Sequence, residues 1–155
     1  MKPDCIEKSL EIDAPVTRVW HALTDYREFG EWFGVRLEGP FRAGEESLGG
    51  MTHPGYEDLP WRAVIQEIDP EQYFAFTWHP YAIDPKVDYS EEVPTLVEFR
   101  LQPSPRGGTF LELSECGFND LPDARAGEAL RRNEAGWTQQ LKNIAAYVAQ
   151  HPVAA

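Results

Sequence analysis

The chain has 155 residues, of which 42% are hydrophobic and 12% aromatic, and this composition excludes an intrinsically disordered protein. Its 14 lysines and arginines stand against 26 aspartates and glutamates, so the net charge is −12. Such an acidic surface repels phosphate groups, and we expect neither nucleic acid nor a membrane as a partner. The length suits a single domain, residues 1–155, with one core.

The start of the chain predicts a protein that is not exported. Its first residues, Met-Lys-Pro-Asp-Cys, lack the apolar stretch of a signal peptide. No apolar run in the sequence approaches the ~20 residues of a membrane span. We therefore expect a cytoplasmic location.

The first part of the chain predicts one strand and two short helices. Apolar residues alternate over residues 6–12, as they do in a half-buried strand. Pro15 suits the first turn of a helix whose apolar residues continue at helical spacing to Leu23. A second short helix is predicted over residues 26–33 and would end at Gly34. Its candidate N-terminal caps are Thr24 and Asp25.

The middle of the chain alternates between strand patterns and turn residues. The predicted strands are 35–39, 45–52, 61–68, 73–79, 95–102 and 109–116. Their short connectors indicate a meander, so the strands should be antiparallel. Two longer loops, 53–60 and 80–94, interrupt this pattern. A loop of about fifteen residues is usually functional or mobile, and whether residues 80–94 form a lid is left open.

Residues 122–150 predict one long helix with an apolar stripe. The stripe consists of Leu130, Trp137, Leu141, Ile144 and Val148. Glu134 falls on the same face, either buried as an acid or base, or at a cavity mouth beside Arg131 or Arg132. Gly136 is interpreted as allowing the helix to approach a facing sheet closely.

Several motifs occur in an order typical of one fold. They are IEKSLEIDAP (6–15), VWHALT (19–24), EWF (31–33), EIDP (67–70), FAFTW (74–78) and GW (136–137). Together they resemble the START-related, birch-pollen-allergen-like superfamily (SRPBCC). More narrowly, they resemble the AHSA-type domains named after the activator of the heat-shock-protein-90 ATPase. The resemblance implies an α+β helix-grip fold: a seven-stranded curved antiparallel sheet wrapped around a long C-terminal helix, with two short helices between strands 1 and 2.

The resemblance also implies a cavity between the sheet and the long helix, in which family members hold apolar or aromatic small molecules. The residues that could line this cavity or its mouth are Trp32, Phe33, Met51, His53, Trp61, Phe76, Trp78, His79, Tyr81, Phe99, Phe118, Glu134, Trp137 and Leu141. The alternative is that the aromatic side chains simply fill a solid core. A cavity of several hundred Å³ would favour a ligand.

Three functions follow, in order of preference. The first is a small binding protein for an apolar or aromatic molecule. The second is a cyclase, dehydratase or hydrolase that uses the same cavity, with His79 and Glu134, or Tyr81 and His53, as an acid–base pair. The third is a co-chaperone-like activator of a heat-shock ATPase, which a filled core would favour. We expect no cofactor and no metal, because the histidines lack ligand spacing, and a homodimer is an open alternative.

Cys5 lies at the start of the first predicted strand, and Cys116 lies at the end of the last one. If the first strand pairs antiparallel with the last, Cys5 and Cys116 lie close together with side chains on the same face. We expect two adjacent reduced thiols rather than a disulfide, because cytoplasmic thiols normally stay reduced.

Overall fold

The computed structural model describes residues 4–84 and 86–153. Within them, the strands are β1 (Cys5–Ile12), β2 (Val35–Leu37), β3 (Glu46–Met51), β4 (Pro60–Asp69), β5 (Tyr73–Trp78), β6 (Thr95–Pro103) and β7 (Thr109–Cys116). The α-helices are α1 (Val16–Thr24), α2 (Tyr26–Phe33) and α3 (Asp123–Gln150), and a short 3-10 helix spans Phe118–Asp120. Each predicted boundary is within two residues of the observed one.

All seven strands join in one antiparallel sheet with the order β1-β7-β6-β5-β4-β3-β2. Strands β2 to β7 follow one another as a meander, and β1 pairs with β7 at the far edge. The long helix α3 packs on the same side as α1 and α2 and buries its apolar stripe there. The predicted helix-grip fold is confirmed.

The short helix α2 is fixed at both ends by its sequence. Asp25 accepts hydrogen bonds from the backbone N–H groups of Arg27 and Glu28, at 3.0 and 3.1 Å, and so caps the helix. Gly34 ends the helix with a φ of 92°, a conformation that residues with a Cβ atom rarely adopt. The last helical residue, Phe33, is thereby held against the sheet and α3.

A buried polar cluster joins the three helices at the end of the fold opposite the long loop. The carboxylate of Glu28, 1% exposed, accepts hydrogen bonds from Arg18 at 2.7 Å and from the Tyr147 hydroxyl at 2.8 Å. His21 contacts the same carboxylate. Burial alone would raise the pKa of Glu28, but the hydrogen bonds from Arg18, Tyr147 and His21 outweigh it, and the pKa is lowered.

This cluster predicts how stability depends on pH. A lowered folded-state pKa makes Glu28 stabilising above its ordinary value of 4.5, and that contribution is lost as the pH falls through the folded-state value. Tyr147→Phe removes one hydrogen bond to the charged carboxylate, so we expect the free energy of unfolding to fall by about 1.5–3 kcal/mol near neutral pH. Urea unfolding at several pH values should show the difference from wild type shrinking below pH 4.5.

The matched control is Tyr26→Phe, because the Tyr26 hydroxyl makes no hydrogen bond within the described part of the chain. This control should unfold like wild type at every pH. A stability difference for Tyr147→Phe that stays constant from neutral to acid pH would contradict the proposed coupling to Glu28.

Candidate functional site

Aromatic rings fill most of the space between the sheet and α3. Buried or half-buried rings from α2, β4, β5, β6 and α3 touch one another there, namely Phe33, Trp61, Phe76, Trp78, Phe99 and Trp137. The ring centroids of Trp78 and Trp137 are 5.7 Å apart, and that of Phe33 lies 6.2 and 6.0 Å from them. Six of the candidate residues are thus brought together, mainly as core.

A small slot remains open at the end of this cluster, with a volume of about 90 Å³. It is lined by Phe33, Trp78, Asn133, Gly136, Trp137 and Gln140. The interpretation of Gly136 as a point of close helix–sheet approach is wrong, because a Cβ atom added there would meet no atom within 4 Å. The missing side chain of Gly136 instead leaves the slot open on its helix side.

A fully buried carboxylate lies behind the slot. Glu115 is 0% exposed and accepts hydrogen bonds from the indole N–H groups of Trp78, at 2.7 Å, and Trp137, at 2.8 Å. The Thr95 hydroxyl donates at 2.6 Å, and the Asn133 amide at 3.0 and 3.2 Å. Three of these four donors also line the slot, so the carboxylate and the slot form one site.

The sequence places these groups together through two periodicities. Side chains alternate along β7, so Glu115 points to the same buried face as Leu113 and Leu111. Asn133 and Trp137 are four residues apart on α3, which puts them on one side of the helix and next to Glu115. The β7 pattern carried a signal that sequence reasoning missed: a charged residue in the buried register of a strand.

The hydrogen bonds around Glu115 limit what it can do chemically. A carboxylate offers about four lone-pair positions, and Glu115 accepts five contacts from four donor groups. Little capacity is left to accept a proton from a ligand. We therefore interpret Glu115 as a carboxylate whose hydrogen bonds organise the two indoles, rather than as a general base.

The other candidate residues lie outside the slot. Trp32 and Trp61 are buried and donate to the Ala22 carbonyl oxygen at 2.8 Å and to Ser47 at 3.0 Å. Phe118 and Leu141 are buried in the core, and Met51 is partly buried at the end of β3. His53 is exposed and its ring lies beside that of Tyr56.

The prediction that Glu134 could be a buried acid is wrong. Its side chain is exposed, and both Arg131 and Arg132 pair with Glu128 instead. One step along the helix, Asn133 is the residue that reaches the buried carboxylate. No hydrogen bond or ion pair within residues 4–84 and 86–153 joins His79 to Glu134, or Tyr81 to His53.

Residues of the long loop are pinned to the start of α3. Arg125 donates to the Glu92 carboxylate at 2.7 and 2.9 Å and to the carbonyl oxygens of Pro80 and Tyr81 at 2.9 Å. Its guanidinium lies 4.6 Å from the ring centre of Tyr89. These contacts hold the loop on the helix in this conformation.

His79 lies directly after β5 and directly before this loop. Its Nδ1 atom is buried and has no hydrogen-bond partner in the described part of the chain. Burial lowers the pKa of His79, so the neutral form of the ring is favoured. His79 is not among the residues that line the slot.

The expectation of two reduced thiols is wrong for this structure. The register of β1 and β7 places Cys5 directly opposite Cys116, and the two residues form a disulfide. The pairing of the first and last strands, which predicted their proximity, also brings the sulfur atoms together. The cytoplasmic location stays a prediction.

Two broader hollows occur on the outer face of the sheet, away from α3. One, of about 610 Å³, is lined by polar side chains including Ser9, Arg100 and Glu112, and the other, of about 380 Å³, shares Arg100 and Glu112 with it. Among the described residues, no group of three or more His, Cys, Asp or Glu side chains could hold a metal ion. None of the described helices combines the length and apolar character needed to cross a bilayer.

Comparison with solved structures shows the same fold in proteins of low sequence identity. DynU16, of the dynemicin biosynthetic locus, aligns with a TM-score of 0.71 and 21% identity over 96% of this chain, which spans 48% of DynU16. MLL2253 of Mesorhizobium loti aligns with a TM-score of 0.71 and 21% identity, and the alignment covers 95% of this chain and 98% of MLL2253. A protein of Arthrobacter aurescens aligns with a TM-score of 0.76 and 19% identity, and the alignment covers 97% of this chain and 89% of that protein.

Comparison of sequences identifies the family. No curated protein matches the chain. The family model described as "Activator of Hsp90 ATPase homolog 1-like protein" matches residues 13–149, which include every residue of the slot and Glu115. The chain therefore belongs to the family of Activator of Hsp90 ATPase homolog 1-like proteins.

Proposed function

We propose that this protein binds a small molecule by taking one compact group of it, with an apolar surface, into the slot. The observation that carries the proposal is the open space at Gly136, beside two tryptophans that a buried carboxylate holds in place. Glycine in a helix interior costs about 1 kcal/mol relative to alanine. The presence of glycine at position 136 is explained if a ligand occupies the space that the missing side chain leaves.

The size of the slot limits what enters it. A volume of about 90 Å³ equals the share of about three water molecules in the liquid. A whole drug-sized ligand needs a pocket several times larger. We therefore propose that a compact branched group of a few non-hydrogen atoms enters between Phe33, Trp78 and Trp137, while the rest of the ligand lies outside.

Binding explains the arrangement better than catalysis does. Glu115 is occupied by its own hydrogen-bond donors, and Asn133 and Gln140 are amides that do not titrate. The slot offers apolar walls and fixed polar groups, which are the features of a recognition site. Chemistry in the slot would require a proton donor or acceptor that the ligand itself brings.

A pair of glycine substitutions tests the proposal. The probe is dimethylbutanol, whose branched alkyl group fits the slot, and binding is followed through the indole N–H signals of the five tryptophans in an NMR titration. We expect the Trp78 and Trp137 signals to shift with millimolar probe, because few atoms are buried. Gly136→Leu should abolish the shift by filling the slot.

The matched control is Gly127→Leu, which places the same side chain on the same helix outside the slot, where only the end of the Arg131 side chain lies near. Both variants should be at least as stable as wild type, since leucine favours helices over glycine. Shifts of the two signals that survive Gly136→Leu, or no shift in wild type with any compact branched probe, would refute the proposal.

A further inference from the structure

The buried carboxylate of Glu115 has no positively charged partner in the described part of the chain. None of the ion pairs formed by the described residues includes Glu115. Its donors are two indoles, one hydroxyl and one amide, all of them neutral. Hydrogen bonds make the burial of this charge tolerable, but they do not neutralise it. A negative potential therefore remains at the slot.

The carboxylate of Glu115 polarises the two tryptophan rings that line the slot. Trp78 and Trp137 both turn their N–H edges to Glu115, at 2.7 and 2.8 Å. The edge is the positive part of an aromatic ring and the faces are the negative part. With the N–H edges occupied, and the indoles polarised by a carboxylate, the ring faces become more negative. Tryptophan is already the ring that attracts cations most strongly.

The orientation of the two slot amides favours the same kind of ligand. Asn133 directs its nitrogen to Glu115, and Gln140 directs its nitrogen to the Phe33 carbonyl oxygen at 2.8 Å. The carbonyl oxygen of Gln140 already accepts a hydrogen bond from Asn143 at 3.0 Å, so the amide oxygen that remains for a ligand is that of Asn133. An amide oxygen is an acceptor with a partial negative charge. An anionic group such as a carboxylate would meet an acceptor and a buried negative charge, and is excluded by electrostatics.

We infer that the group held in the slot is an organic cation, namely a methylated ammonium head. This inference rests on the proposed function of the slot. Such a head is compact, carries its charge under apolar methyl groups, and is recognised in proteins by aromatic walls. Phe33, Trp78 and Trp137 supply three such walls, and Glu115 supplies the compensating charge without touching the ligand.

The test compares two probes of the same shape. Choline carries a trimethylammonium head. The dimethylbutanol used is the isomer 3,3-dimethylbutan-1-ol, which has a carbon atom in place of the choline nitrogen. Both are titrated at constant ionic strength, and the shifts of the Trp78 and Trp137 indole signals give the two dissociation constants. We expect choline to bind about tenfold more tightly than dimethylbutanol, and Gly136→Leu to abolish both titrations.

The outcomes separate this inference from the proposed function. Equal affinities, or tighter binding of dimethylbutanol, would overturn the inference that the bound group is a cation. The proposed function of the slot as a binding site would still stand. No titration with either probe would overturn both. Choline shifts that survive Gly136→Leu would place the cation on the acidic surface and overturn the inference.

A charge control tests whether choline binds instead at the hollows on the outer face of the sheet, which Glu112 lines. Glu112→Gln removes one negative charge from β7 on the outer face of the sheet, away from the slot. The preference for choline should be unchanged in this variant. A tenfold preference that disappears with Glu112→Gln would show that choline binds at the outer face of the sheet and would overturn the inference.

Discussion

Replacing Glu115 by alanine should lower the free energy of unfolding by about 3–5 kcal/mol. The substitution leaves the indole of Trp137 and the hydroxyl of Thr95, both buried, without an acceptor. Each buried donor without a partner costs about 1–3 kcal/mol. Trp78 and Asn133 lie partly at the surface, so water can replace the carboxylate for them at a lower cost. The removed side chain also leaves a cavity.

Urea unfolding followed by tryptophan fluorescence measures this loss. Glu112→Ala is the control on the same strand: its side chain is exposed on the outer face, so we expect a change within about 0.5 kcal/mol. Glu115→Gln should also destabilise, because its amide nitrogen turns a donor toward groups that are themselves donors. If Glu115→Ala were as stable as Glu112→Ala, the site would not depend on the carboxylate.

The fold could be predicted almost entirely from local patterns. Strand alternation and helical spacing depend on the immediate neighbours of a residue, and both are visible in the sequence. Asp25 illustrates this: an aspartate before a helical pattern is a good cap, and it caps α2 in the structure. The meander order followed from short connectors, and it predicted that Cys5 and Cys116 would be neighbours.

The site could be predicted only in part, because it depends on side chains from distant elements. Trp78 and Trp137 were both expected to line the space between the sheet and the long helix, and their ring centroids lie 5.7 Å apart there. The group that connects them, Glu115, was missed, although its register on β7 was available. Asn133 and Glu134 both lie about one turn before Trp137, and only the position of the sheet decides that Asn133 makes the contact.

The size of the cavity could not be predicted from the sequence for a different reason. Aromatic residues on facing elements predict an apolar interior, but the same residues can line a cavity or fill it. Here the rings of Phe33, Trp61 and Trp78 pack at 5.3 to 6.2 Å from one another and leave about 90 Å³. Packing of this kind is set by rotamers and backbone distances that no periodicity encodes.

Reduction of the disulfide should destabilise the protein by about 3–5 kcal/mol. Cys5 and Cys116 are 111 residues apart, so the bond closes a loop that includes most of the chain. In the chain-entropy model, a cross-link over about 100 residues contributes about 4.7 kcal/mol by restricting the unfolded state. The effect in the folded state should be small, because β1 remains paired with β7 along its length.

Thermal unfolding with and without a thiol reductant checks this prediction. For a chain of this size we expect a fall in Tm of about 10 °C on reduction. A double variant, Cys5→Ser with Cys116→Ser, should melt at the lower temperature in both conditions, because it lacks the cross-link from the start. Two free thiols in unreduced protein, counted by alkylation and mass spectrometry, would show that the bond does not form.

The same experiment separates an effect on the unfolded chain from damage to the site. Cys116 follows Glu115 directly, so a folded-state distortion of β7 would move the carboxylate and its two indole donors. If reduction acts through chain entropy alone, the indole signals of Trp78 and Trp137 should keep their positions while Tm falls. Displaced signals would instead show that the disulfide holds Glu115 in register with α3.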